Sequence, residues 1–218
     1  MNVAAPIVLT KSGLQRDPAE TPLAQLREEF ARNHLVKLPG LFSAEMLDIF
    51  HRRLPDAAFS RRVEDGVEIE HTLEDPALLG ATMFTLNDPA LFQVVSTITG
   101  CGAIGCFSGR VQSRHADERG GHYYPWHTDA AQERLVGLSV NLSDRSFDGG
   151  VLQIRHTGTE RIVAEVANRQ RGDGVLFRIS EDLEHHVTPV SGDGTRLVIA
   201  GWFRRAPDFW QAARCVSS

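Results

Sequence analysis

The sequence predicts a mainly β domain, a sandwich or barrel, set behind a group of N-terminal α-helices. Three observations carry that expectation. Beyond Gly100 the chain breaks into seven short apolar runs separated by Gly, Asp and Ser, the pattern of closely spaced strands. The breaks include Asp148-Gly149-Gly150, Gly172-Asp173-Gly174 and Gly192-Asp193-Gly194, which supply the positive φ angles that tight reversals need. Before Gly100, apolar residues instead recur at intervals of three and four behind helix start signals.

Taken in order, residues 1–20 read as a loosely held tail. Thr21 caps a first helix with Pro22 in its first position, and Leu23, Leu26 and Phe30 share one face. His34 to Leu38 is a short extended piece leading into Pro39-Gly40. Ser43 caps a second helix carrying Leu47, Phe50 and Leu54, and Pro55 stops it. Val67-Glu68-Ile69-Glu70 alternates like a half-buried strand. Asp88 and Pro89 open a third helix striped by Leu91, Val94, Val95 and Ile98, ended by Gly100. The strands then follow at Ile104–His115, Leu135–Leu142, Val151–Ile154, Ile162–Val166, Val175–Ile179, His185–Val190 and Arg196–Phe203. No repeat or linker interrupts them, so residues 21–218 read as one domain, helical support over 21–100 and a strand core over 101–204.

Composition narrows the chemistry. The chain has 218 residues, 42% hydrophobic and 23% charged, an ordinary globular balance. Its formal charge of −5 gives no field for a polyanion, which argues against nucleic acid as a partner. Of the 23 basic residues only Lys11 and Lys37 are lysines, leaving 21 arginines. Neither lysine follows a phosphate-loop glycine pattern, and Schiff-base chemistry on a lysine is nearly excluded. Cys101, Cys106 and Cys215 are odd in number and form no C-x-x-C, which points to a reducing compartment. The first residues lack the charged start and apolar run of a secretory signal. The expected location is therefore cytoplasmic, with no membrane partner.

The segment Tyr123-Tyr124-Pro125-Trp126-His127-Thr128-Asp129 and the distant Leu183-Glu184-His185-His186-Val187-Thr188-Pro189-Val190 carry the chemistry. An H-x-D pair with a remote histidine offers two imidazoles and one carboxylate, the facial triad of non-haem Fe(II) oxygenases. His115-x-Asp117 is a rival pair, but it runs into the polar loop Asp117-Glu118-Arg119-Gly120-Gly121, where a solvated surface is the simpler reading. Arg196, shortly after the distal histidine, adds a guanidinium able to meet the far carboxylate of a dicarboxylate bidentately.

Together, His127-x-Asp129, Asp148-Gly149-Gly150-Val151-Leu152, Gly172 to Phe177, His185-x-Val187-x-Pro189-Val190, Arg196 and Gly201-Trp202-Phe203 resemble the Fe(II)/2-oxoglutarate-dependent oxygenases. The match, in order over roughly residues 104–203, is to the prolyl-hydroxylase-like branch. Asn33 to Ser43 also resembles the opening segment of the phytanoyl-CoA-hydroxylase-like members. The resemblance implies a double-stranded β-helix, the cupin-like jelly roll, with Fe(II) held by His127, Asp129 and His185. In the family pattern the ligand stands four before the proline, which is His185; His186 then points to the opposite strand face and is second choice. Arg196 would anchor 2-oxoglutarate, Asn141 would assist where relatives often carry tyrosine, and Trp202 would line the co-substrate pocket. Gln112 and Arg114 share one strand face and either reach the pocket mouth or lie exposed.

These expectations define an iron- and 2-oxoglutarate-dependent hydroxylase using O2, with ascorbate as reductant, acting on an unactivated C–H of a small molecule or a peptidyl, amino-acid-derived substrate. Asp129 argues against halogenation, for which the family carries a small residue there. Trp202 stands where the nucleic-acid-demethylating branch has a second arginine. Two other readings stay open: a 2-oxoglutarate-independent cupin-like metal enzyme, and a non-catalytic jelly roll that binds a ligand or protein.

Overall fold

A computed structural model of the chain describes residues 7–17, 22–64, 68–115, 125–130 and 133–205. The first described segment corrects the expected tail. Residues Ile7–Thr10 (β1) and Gly13–Arg16 (β2) form an antiparallel hairpin. Ile7 and Leu9 are fully buried, Leu9 exchanges backbone hydrogen bonds with Leu41 and Ser43, and Leu14 N–H donates to Asp88. A four-residue strand is too short to show a period; tertiary burial rather than local pattern holds this one.

Helix α1, Leu23–Asn33, begins one residue later than expected: Pro22 is its N-cap, no side chain caps it, and Thr21 lies outside the described residues. It ends at His34, whose φ of 61° closes the turn onto the Phe30 carbonyl. Strand β3, Leu35–Leu38, follows, then α2, Ala44–Arg53, capped by the Ser43 hydroxyl accepting from Met46 N–H. A single 3-10 turn, Leu54–Asp56, replaces a clean stop at Pro55. Strands β4, Phe59–Glu64, and β5, Glu68–Leu73, pair antiparallel; only the second was foreseen, and Val67 lies outside the described residues. Helix α3, Pro76–Leu86, was not foreseen at all, whereas α4, Pro89–Thr99, has the expected Asp88 cap and a left-handed Gly100 at its end.

The remaining strands are β6 Cys106–His115, β7 Arg134–Asn141, β8 Asp148–Gly149, β9 Val151–His156, β10 Ile162–Ala167, β11 Gly174–Arg178, β12 Leu183–Val187, β13 Val190–Ser191 and β14 Thr195–Arg204. They build a seven-stranded antiparallel sheet in the order β3-β11-β7-β14-β6-β5-β4, a three-stranded sheet β10-β9-β12, and the small β8-β13 pair. The large and small sheets face each other as a jelly roll.

Period-two alternation then decides what each face does. On β14, Ile199 and Phe203 are fully buried toward the helices, packed with Phe30, Leu91 and Ile98. The alternate residues Arg196, Ala200 and Trp202 turn inward between the sheets. A smaller apolar cluster, including Leu152, Ile154, Val175, Phe177 and Leu183, closes one side of that interior. The helices thus brace the back of the large sheet and leave its front free for chemistry. Among the described residues, no helix is long and apolar enough to cross a membrane.

Candidate metal centre and active site

His127 lies outside any long strand, yet its backbone forms an isolated antiparallel bridge with His185 on β12. The two residues exchange hydrogen bonds in both directions, His127 N–H to His185 carbonyl at 3.2 Å and the reverse at 2.9 Å. Residues paired this way project their side chains to the same side, so the two imidazoles stand with ring centroids 4.5 Å apart. The Thr128 hydroxyl donates to the Ser180 carbonyl at 3.1 Å, tying the segment down. Asp129, two residues on, returns to the same face, with Oδ2 3.4 Å from His185 Nε2. One ligand atom from each of His127, Asp129 and His185 lies within 4.8 Å of the others.

Each side chain is oriented by a further contact. His127 Nδ1 lies 2.8 Å from the Pro125 carbonyl; donation to that oxygen leaves Nε2 with its lone pair toward the centre. Asp129 is held at both oxygens: Arg134 donates to Oδ1 at 2.7 Å and the Trp202 indole N–H to Oδ2 at 2.6 Å. The Arg134 guanidinium lies 3.7 Å from the Trp202 ring centroid, a cation–π contact that locks both donors together. Burial works to raise the Asp129 carboxyl, but the His185 contact, the Trp202 N–H and the His127 charge overcome it and hold it at about 2. Burial, then the neighbouring His185, push His127 below its ordinary value, against the opposing pull of the Pro125 carbonyl and Asp129. The centre therefore presents an ionised carboxylate and a neutral imidazole near neutral pH. That donor set, two nitrogens and one oxygen on one side of an open space, fits a divalent iron.

The open space is a cleft between the two sheets, lined by residues of both. His127, Asp129 and His185 line it, as do Arg196 and Trp202. Arg196 is 5% exposed and spans toward the turn before β9, where a Cβ on Gly150 would lie 2.8 Å from its Cδ. Trp202 lines the cleft too, but its indole N–H is committed to Asp129. Asn141 is fully buried yet does not line the cleft; its Oδ1 accepts from Ser143 N–H, and its Nδ2 has no hydrogen-bond partner among the described residues.

Gln112 and Arg114, ambiguous from sequence, are 6% and 3% exposed and both line the cleft, with Arg110 on the same face of β6. His186 is turned to the other face of β12, its Nε2 2.8 Å from Gln153 Oε1 and its ring 4.0 Å from Trp126. The rival His115 is exposed at the end of β6, 2.9 Å from the Thr195 hydroxyl, and Asp117 lies outside the described residues. Tyr123 and Tyr124 also lie outside them. Lys37 is bound to Asp173 at 2.7 Å, away from the cleft. Sequence reasoning placed Arg110 and Arg134 only as arginines flanking convergent strands. That Arg110 lines the cleft and that Arg134 donates to Asp129 are visible only in three dimensions.

Comparison with known proteins agrees with this architecture. Residues 111–204 match the model of the 2OG-Fe(II) oxygenase superfamily. A Pseudomonas putida prolyl-4-hydroxylase aligns with 85% of this chain and 100% of its own at 22% identity and a TM-score of 0.61. The epimerase SnoN of nogalamycin biosynthesis aligns over 85% of this chain and 82% of its own at 18% identity, TM-score 0.61. A Trichoplax adhaerens prolyl hydroxylase, solved with a hypoxia-inducible-factor peptide, aligns over 90% and 92% at 15% identity, TM-score 0.58. No curated protein sequence matches the chain.

Proposed function

We propose that this chain, whose residues 111–204 match the model of the 2OG-Fe(II) oxygenase superfamily, is a 2-oxoglutarate-dependent iron dioxygenase that hydroxylates an unactivated C–H of a small molecule or a peptidyl, amino-acid-derived substrate. The observation that carries the reading is the His127–His185 backbone bridge, which sets two imidazoles beside Asp129 at a cleft that also holds the buried Arg196. His127, Asp129 and His185 would hold Fe(II), and Arg196 the far carboxylate of 2-oxoglutarate. When bound, iron, 2-oxoglutarate and O2 supply the oxidation, with succinate and CO2 as by-products.

The protein's own part is placement. Pro125 fixes the His127 tautomer, while Arg134 and Trp202 fix the rotation of the Asp129 carboxylate. Arg196 reaches across the cleft, so the co-substrate would be oriented by its two ends. Asn141, buried on the neighbouring strand with Nδ2 to spare, would support that end at a remove. Phe177, packed 4.8 Å from the His185 ring, and Val175 on the same strand give the cleft an apolar wall that excludes water.

The test is succinate release by purified protein with Fe(II), ascorbate and 2-oxoglutarate, together with the mass of the product. Asp129→Ala should abolish both iron retention and succinate release. An active Asp129→Ala variant would overturn the ligand assignment; a product with no added oxygen would overturn hydroxylation.

A further inference from the structure

A second cavity lies on the opposite face of the large sheet from the catalytic cleft, and strand alternation puts it there. Gln112, Arg114 and Arg196 line the cleft, whereas their neighbours Ser113, His115, Thr195 and Leu197 line the other cavity. The register sets His71 on β5, Ser113 on β6 and Leu197 on β14 in one row, which with Phe59 of β4 makes one wall. The last turn of α2 and the 3-10 turn after it supply the facing wall through His51, Leu54 and Pro55, and Arg171 stands beside them. The space is about 390 Å³, in the range of small-molecule pockets.

Two features show what it would take. Arg171 is half-buried and has no carboxylate partner among the described residues: Nη2 donates to the Leu47 carbonyl at 2.9 Å, and the buried Nε donates to nothing. Asp144, the acidic residue of the described lining, is exposed and forms no ion pair with it. A guanidinium held partly out of water without a counter-ion is a ready receptor for a carboxylate. Beside it lies uncovered apolar surface. Leu73 and Leu142 are fully buried in the core, whereas Leu54, Phe59 and Leu197, packed on that core, keep part of their surface open at the cavity. The three histidines do not make this a metal site: among the described residues, only His127, Asp129 and His185 gather their ligand atoms within 4.8 Å of one another.

We infer that this cavity is a second ligand site, for a small organic acid with an apolar body. Arg171 receives the carboxylate, and Leu54, Phe59 and Leu197 cover the body. One guanidinium among mostly apolar walls matches a singly charged carboxylate better than a doubly charged phosphate. The site uses neither iron nor 2-oxoglutarate, so it stands or falls apart from the function proposed above.

The experiment uses the full chain loaded with Fe(II) under argon, with and without saturating 2-oxoglutarate. Benzoate, phenylacetate, hexanoate, their carboxamides and phenyl phosphate are titrated by calorimetry. At least one of the three acids should bind with Kd below about 1 mM, and its carboxamide at least about tenfold more weakly. Saturating 2-oxoglutarate should leave that Kd unchanged, since the two sites lie on opposite faces of the sheet. Arg171→Gln should weaken the acid by at least about tenfold, and Arg171→Lys by less. Because Arg171 also holds the Leu47 carbonyl, Tm is measured alongside, and the exposed His51 provides a second variant. His51→Glu places a like charge at the cavity and should weaken the acid while leaving its carboxamide as it was. No binding by any acid, a carboxamide or phenyl phosphate that binds as tightly, competition by 2-oxoglutarate, or an acid affinity unchanged in Arg171→Gln and His51→Glu would each overturn the inference.

Discussion

Replacing Arg196 by alanine is the sharpest way to separate co-substrate anchoring from metal binding. The side chain is 5% exposed, so the charge pair it would form with 2-oxoglutarate is almost fully desolvated, and truncating one partner of such a pair costs about 2–5 kcal/mol. Arg114 occupies the paired position on β6 and keeps positive charge at that end of the cleft, which places the expected loss in the lower half, about 2–3.5 kcal/mol. At 1.4 kcal/mol per decade this is a rise of about 30- to 300-fold in KM for 2-oxoglutarate. Iron binding should persist, because the triad is held by contacts from Pro125, Arg134 and Trp202 and not by Arg196. The assay is the initial rate of succinate release against 2-oxoglutarate concentration, with iron content and Tm measured on the same preparations. A KM within about twofold of the parent, or iron lost in step with activity, would refute the division of labour.

Four further outcomes follow from the same geometry. Gly150→Ala puts a Cβ 2.8 Å from Arg196 Cδ and 2.9 Å from Phe147 at a φ of 61°; it should raise KM for 2-oxoglutarate in the direction of Arg196→Ala and lower Tm, as measured by kinetics and calorimetry. His186→Ala should lower stability by about 1–3 kcal/mol through loss of the Gln153 hydrogen bond and the Trp126 packing, while iron stoichiometry stays at that of the parent; loss of iron would move the ligand assignment to His186. Trp202→Phe removes a charge-assisted hydrogen bond from Asp129 Oδ2, so metal affinity should fall while KM for 2-oxoglutarate changes less, read by iron titration. In the metal-free protein Asp129 is held at about 2 against an ordinary 3.8. A depressed carboxyl adds stability above the unfolded value and loses it as pH falls through the folded one, about 2 kcal/mol over that interval. Denaturant titrations between pH 5 and 2 should show that loss in the parent and a smaller one in Asp129→Asn.

What the sequence made legible, and what it hid, divides along physical lines. The inner strands of the large sheet could be read because one face packs on helices and the other lines a cleft, so β6 and β14 alternate. The starts of β11 and β14 are marked by Gly-Asp-Gly turns. Helix α3 was invisible because Pro76–Leu86 is apolar on every side, with Phe84 83% exposed, and no stripe distinguishes a face. The β1–β2 hairpin was invisible because its support comes from Leu41, Ser43 and Asp88, far along the chain. At the site, H-x-D and the strand alternation around His185 and His186 were local signals. Arg110 and Arg114 were opaque, since a charged residue on a strand ordinarily lies at the surface and nothing local reveals that this face is interior.

The arrangement around Asp129 carries a consequence for how the centre would load. A metal must compete with protons for its ligands, and affinity falls wherever ligands have to be deprotonated first. Here the carboxylate is already ionised through its donors and neighbours, and His127 is pushed toward its neutral form by burial and by His185. Neither would need to release a proton near neutral pH. Arg134 and Trp202 hold one carboxylate oxygen each, so a metal taking either oxygen leaves a hydrogen bond on the other, and the carboxylate need not rotate to bind. The contacts that order these ligand side chains are those that would orient them on a metal. Arg134→Ala should therefore weaken metal binding by a similar factor at pH 5 and pH 7.5, because Asp129 stays ionised at both and what is lost is the donor that orients it. An iron affinity equal to the parent's at both pH values would refute that orienting role.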